Sequence, residues 1–200
     1  MKFFKINIDH LSDEALMGRL KENNDPKALT ELYKRYSKKL LGYFINMFSG
    51  DVAKSEDFLH DLFIKLMEKK HLFDANRKFY SWVFTVASNM CKTEFRKPIM
   101  KTLPIENSDS HQALQFEDNN KMDSLAFKSD LKAQIDLLSL DHKATFILRY
   151  HQQFSLNEIA EITESNLGTV KSRLYYATQK LTKSLESYRP ENDSPQFKMN

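Results

Sequence analysis

Ser155-Leu156-Asn157-Glu158-Ile159-Ala160, a turn at Thr163-Glu164-Ser165, and then Leu167-Gly168-Thr169-Val170-Lys171-Ser172-Arg173-Leu174 read as two short helices and the corner between them. A serine three residues ahead of a glutamate makes a capping box: its hydroxyl accepts a first-turn backbone N–H, and the carboxylate reaches back to the serine amide. Leu156, Ile159, Ala160 and Ile162 supply an apolar face, with Ala160 small enough for a partner helix to come close. Ser165 is placed to cap the next helix. There Val170, Leu174, Ala177, Leu181 and Leu185 recur every three or four residues. Ser172, Tyr175, Tyr176 and Gln179 lie opposite, and Thr169, Lys171 and Arg173 flank the leading end. An apolar stripe that seats a helix on its partner, with basic and short polar groups at the end entering the major groove, is the layout of a DNA-reading helix-turn-helix. A helical hairpin with a solvated basic face shares that pattern, so spacing alone leaves both readings open.

Upstream of this pair, Leu131, Ile135, Leu138, Phe146, Ile147 and Tyr150 predict a helix pair bent near Ser139-Leu140-Asp141, giving a second helical unit over 125–187. Residues 99–124 lose periodicity. From Leu103 to Asp130 the acids Glu106, Asp109, Glu117, Asp118, Asp123 and Asp130 face only Lys121 and Lys128, the signature of an acidic flexible linker. Residues 188–200 read as a disordered tail.

Over 10–98 the punctuation predicts a helical bundle. Ser12 caps a first helix that ends near Asn23-Asn24. Asp25-Pro26 restarts the chain, with proline at the first helical position. Ser49-Gly50-Asp51 breaks the second helix, a third runs from about Asp51 to Lys70, and a polar loop from Phe73 to Lys78 leads into a fourth that Pro98 ends. With four glycines and five prolines in 200 residues, too few turn residues are present for a β-rich fold. The fold class is therefore all-α: two small helical domains joined by an acidic linker. A net charge of +3 permits nucleic-acid binding without arguing for it; the separation of an acidic linker from a basic last helix argues more. The single cysteine, Cys91, excludes an internal disulfide framework and a cysteine-based zinc site. No apolar run approaches the ~18 residues a membrane span needs, and no signal peptide is legible, so a cytoplasmic protein without membrane insertion is expected.

The stretch Leu167 to Leu174, with Phe154 to Ala160 before it, resembles domain 4 of RNA polymerase sigma factors of the sigma-70 family, extracytoplasmic-function type. Ser55 to Leu66 is similar to that family's polymerase-binding helix in domain 2. Phe79-Tyr80-Ser81-Trp82, Val86 to Asn89 and Phe95-Arg96-Lys97 resemble its promoter −10 segment. The resemblance spans about residues 10–187 in matching order. It implies a domain 2 over 10–98, a linker over 99–124 and a domain 4 over 125–187. It also implies a DNA-binding transcription-initiation subunit that directs core RNA polymerase to promoters, with no cofactor and no enzymatic activity. Ser165, Asn166, Thr169, Lys171, Ser172, Arg173 and Tyr176 would read the −35 element. Asn76, Arg77, Lys78, Phe79, Trp82, Asn89, Lys92 and Arg96 would take the −10 element. Asp57, His60, Asp61, Phe63 and Lys65 would dock on the polymerase clamp helices, while domain 4 packs on the flap tip. An anti-sigma factor is implied as a further partner. His60 stands where the family usually has glutamine, Asp74-Ala75-Asn76 lacks a common glycine, and Ser139-Leu140 replaces a leucine-proline turn.

Two other readings compete. His60-Asp61 is a dipeptide of metal-dependent phosphohydrolases, yet His10, His71, His111, His142 and His151 sit at no recognisable ligand spacing, and no phosphate-cradling glycine loop is present. An autonomous helix-turn-helix regulator, with residues 10–97 binding a ligand or dimerising, is the closer rival.

Overall fold

The computed structural model describes residues 8–97 and 121–188, the first four residues of the second stretch by backbone alone. These residues form eight α-helices, with short 3-10 turns before, between and after them and no strand among them. Most of the segment read as linker and the tail beyond Tyr188 lie outside the described residues.

The first module begins with α1 (Asp13–Asn23), whose N-cap Ser12 accepts the Ala15 amide at 3.1 Å. Asn24 ends α1 in the left-handed conformation that asparagine tolerates. In α2 (Pro26–Met47) Asp25 caps and Pro26 fills the first position, where a missing N–H costs nothing. At Ser49 and Gly50 the chain takes φ of 58° and 97°. The φ of Gly50 is one that side-chain-bearing residues rarely adopt, so the backbone calls for glycine there, whereas the Lys132 ammonium 2.6 Å from a Cβ would be free to swing away. The third helix, α3 (Val52–Lys69), starts on Asp51, and α4 (Phe79–Arg96) follows the loop after Phe73. The inward faces set Leu59, Leu62, Phe63 and Leu66 of α3 against Phe79, Val83, Ala87 and Cys91 of α4. Phe84, Ser81 and Ser88 are buried as well, because α4 is covered on more than one side.

The second module holds α5 (Lys121–Asp136), α6 (Leu140–Tyr150), α7 (Leu156–Thr163) and α8 (Leu167–Ser184). Helix α5 starts inside the segment expected to be linker. At the other end Tyr188, read as the first tail residue, closes a 3-10 turn and donates to Asp130 at 2.6 Å. The capping box forms as predicted: Ser155 accepts the Glu158 amide, and Glu158 accepts the Ser155 amide. Ser165, however, does not cap α8. Asn166 does, accepting the Thr169 amide at 2.7 Å. The reason is the left-handed Glu164, which spends one residue more on the corner than the sequence suggested.

The two modules share one large core, beside a smaller buried cluster of Ile135, Leu138, Ala177 and Leu181 that belongs to the second module alone. Ala144, Ile147, Leu148, Phe154, Ile159, Ile162 and Val170 belong to the same buried cluster as the first bundle. Phe154, 1 % exposed, stacks on Tyr80 with ring centres 4.5 Å apart and meets Phe84 edge-on at 5.0 Å. Burying one such ring contributes roughly 1.5–3 kcal/mol. Lys143, only 4 % exposed, ties α6 to the α2–α3 turn through Ser49 Oγ at 3.0 Å, with Asp136 at 2.7 Å balancing its charge.

Candidate nucleic-acid interface

Helix α8 is seated by Val170, Ala177 and Leu181, all buried. Its outer face presents Lys171, Ser172, Tyr175, Tyr176 and Gln179 to solvent, and Thr169 sits half-buried at the leading end. Tyr175 and Tyr176 are 60 % and 58 % exposed and pack edge to face at 5.5 Å. Tyr175 was absent from the expected reading set, although its place on the outward face was legible from spacing alone. Arg173 is different in kind. One guanidinium nitrogen donates to Ser165 Oγ at 2.9 Å and another to Asp141 Oδ2 at 2.6 Å, so it braces the corner against the start of α6. Asn166 likewise spends its side-chain oxygen on the cap.

On the first module, Asn76, Arg77 and Lys78 are exposed on the loop before α4. Without a glycine, this loop is turned by Asp74, whose carboxylate accepts from the Asn76 amide at 2.9 Å and whose carbonyl accepts from the Arg77 amide. Phe79 is fully buried against Tyr36, Phe73 and Trp82, which makes it a support for the loop rather than a surface. Trp82 is half-buried and lines a groove between α3 and α4 with Phe58, Val86, Asn89 and Lys65. Asn89, Lys92 and Arg96 continue along α4.

Part of this row is engaged by the second module. Lys92 Nζ donates to the Thr163 carbonyl at 3.2 Å, Asn89 to Glu164 at 3.5 Å, and Lys78 lies 3.7 Å from Glu158. Helix α7 and its C-cap Glu164 thus lay two carboxylates and a C-terminal carbonyl over the basic side of α4. Lys92, Arg96 and Arg173 come to line one polar cleft, with Asp141 and Glu164 among them. The Ser155 hydroxyl and amide hold the Glu158 carboxylate below its ordinary range, so it stays ionised beside Lys78.

Helix α3 turns Asp57, His60 and Asp61 to solvent, with Lys65 half-buried. Phe63 is 7 % exposed and packs on Tyr33 with ring centres 4.8 Å apart, so the exposed apolar side chain on this face is Ile64, at 45 %. Among the described residues no cluster of three or more histidine, cysteine or acidic side chains could hold a metal ion, and no helix is long and apolar enough to cross a membrane.

The chain is similar to known proteins over nearly its whole length. It is 26 % identical over 188 residues to the ECF RNA polymerase sigma-E factor of Haemophilus influenzae, covering 89 % of this chain and 97 % of that one. It is 28 % identical over 188 residues to the Escherichia coli sigma-E factor, and 26 % over 173 residues to SigW of Bacillus subtilis, covering 96 % and 92 % of those proteins. A family model, Sigma-70 region 2, matches residues 32–98. That match separates the chain from an autonomous helix-turn-helix regulator, because it falls on the module that such a regulator would use for something else. Together these matches support a sigma factor of the extracytoplasmic-function type, of the sigma-70 family. Its fold has solved counterparts. The sigma factor RpoE, crystallised with the anti-sigma factor NepR from Bartonella quintana, aligns at a TM-score of 0.61 and 22 % identity over 82 % of this chain and 99 % of that one. CnrH, solved with the cytosolic domain of CnrY, aligns at 0.65 and 17 % over 88 % and 99 %. In this chain the region 2 match runs from within α2 to just past α4, the elements that carry the loop, the groove and the acidic face of α3. Sigma factors regulate transcription and are not themselves catalysts.

Proposed function

We propose that this sigma factor divides promoter reading between the two faces described, under core RNA polymerase in the cytoplasm and without chemistry of its own. Helix α8 enters the major groove at the −35 element: Ser172, Tyr175 and Tyr176 meet base edges while Lys171 takes a phosphate. Arg173 and Asn166 act behind them by fixing the corner. The loop Asn76-Arg77-Lys78 with Trp82, and then Asn89, Lys92 and Arg96, take the −10 strand. Melting base pairs costs several kcal/mol, which stacking on an aromatic and pocketing an extruded base can offset. Asp57, His60, Asp61 and Ile64 of α3 form the polymerase-docking face. An anti-sigma factor is proposed on the likeness to RpoE and CnrH alone.

The observation that supports this reading most is the outer face of α8, exposed polar and aromatic groups opposite the buried Val170, Ala177 and Leu181. Because α7 covers Asn89 and Lys92, promoter engagement requires the two modules to part, and docking on polymerase is the event that parts them. In vitro transcription with core polymerase on genomic DNA, with start sites mapped, tests the proposal. Lys171→Ala should weaken promoter binding and lower the slope of log affinity against log salt by about one. Charge reversal at Asp57 and Asp61 should weaken core binding and leave the salt slope unchanged. If the free chain binds a palindromic site as a dimer and core polymerase adds nothing, the autonomous-regulator reading replaces this one.

A further inference from the structure

We infer that Glu14, on the first helix and 65 residues away in sequence, is a positioning residue for the −10 loop. Helix α4 begins without a local cap, because its N-cap is Lys78, whose side chain has no oxygen to offer. The Phe79 amide instead donates to Glu14 Oε1 at 3.0 Å. A carboxylate at a helix N-terminus satisfies an orphan donor and complements the positive end of the helix dipole.

Glu14 is itself aimed by a built framework. Its neighbour Asp13 accepts from Arg35 Nη1 at 2.8 Å and from the Tyr36 hydroxyl. Arg35 also donates to the Leu11 and Asp9 carbonyls, both at 2.9 Å, and to Glu31 at 2.7 Å. Guanidinium and hydroxyl together pin the entry and first turn of α1 to α2. Tyr36 then touches Phe79, with ring centres 5.1 Å apart, so one side chain contacts both ends of the relay. The relay runs from Arg35 and Tyr36 through the start of α1 to Glu14, and from Glu14 to the first turn of α4, where Lys78 and Trp82 sit.

Two consequences follow for the reading proposed above, on which this inference rests. The position of the Asn76-Arg77-Lys78 loop is fixed at its α4 end by a tertiary contact and at its other end by Asp74. Glu14 also occupies an amide that would otherwise attract a phosphate. An anion is kept off the helix start, and the loop is left to receive a base.

The test uses the full chain with core polymerase and a mapped promoter. It compares Glu14→Ala with Glu14→Gln, which keeps the accepting oxygen without the charge. Permanganate reactivity of −10 thymines reports strand opening, and the yield ratio between the cognate promoter and one carrying a single −10 substitution reports discrimination. Glu14→Ala should lower opening roughly threefold to tenfold, the size of a lost cap, and shrink the ratio, with core affinity unchanged. Glu14→Gln should recover most of both. Unchanged opening and discrimination in Glu14→Ala, or a glutamine variant as defective as the alanine one, overturns the inference. Should Glu14→Ala not fold at the assay temperature, Glu14→Asp, one methylene too short, carries the same expectation. Asn76→Ala and Arg77→Ala serve as the separate arm. If they leave −10 discrimination untouched, the −10 reading itself fails. If they alter it while Glu14 variants do not, only the positioning role fails.

Discussion

Cys91 lies on the inner side of α4, fully buried, and burial pushes its thiol up to about 12. A thiolate is the reactive species, so the folded chain should resist thiol alkylation at pH 8 and label promptly once guanidinium unfolds it. Equal labelling rates in the two states would mean that α4 is not covered as described. Arg173 teaches a related lesson. From spacing it is a basic residue at the leading end of a recognition helix, and so a candidate reader. Its two short contacts to Ser165 and Asp141 show a brace whose loss would also loosen the corner. Sequence places a side chain on a face, but it does not say what the side chain finds when it reaches across to a neighbouring helix. Phe63 and Phe79, placed in the docking and −10 sets by the resemblance alone, are buried, because apolar side chains near a packed seam are drawn into it.

At the scale of a helix, α7 is short enough that its N-terminal cap matters. Glu158 is held below its ordinary range by Ser155, so the folded state binds fewer protons than the unfolded state near the ordinary glutamate value of 4.5. Its contribution, about 1 kcal/mol by analogy with other caps, is present above that pH and fades as pH falls through the depressed folded value. Acid titration of thermal stability should therefore show a shallower loss for Glu158→Gln than for the parent chain, from a lower start at neutral pH. Parallel curves would contradict the capping geometry. The helix boundaries themselves were readable because serine, aspartate, proline and glycine carry local backbone chemistry that acts before any packing. Ser165 against Asn166 marks the limit of that legibility: both can cap, and only the left-handed residue at Glu164 settles which one reaches the first turn of α8.

Across the whole molecule, the shared core makes a definite thermodynamic statement. Modules joined through Phe154, Ile159 and Val170 should unfold together, giving one calorimetric transition. Phe154→Ala removes a ring from the seam between α4 and α7, which should cost about 3–5 kcal/mol and split the transition in two. Two transitions in the parent chain would show that the modules melt independently. Hydrophobic period, caps and breakers determined by themselves that the fold is all-α, where most of the described helices begin and end, and that a helix-turn-helix lies near the C-terminal end, because each of those is fixed by neighbours within a few residues. That α7 lies on α4, that Glu14 caps a helix 65 residues away and that Arg173 is tied down were decided only in three dimensions. Those contacts join residues with no shared local pattern. The packing of α7 on α4 exists because apolar faces left over from each module leave water against each other. The two polar contacts exist because helix packing within each module brings their partners into reach.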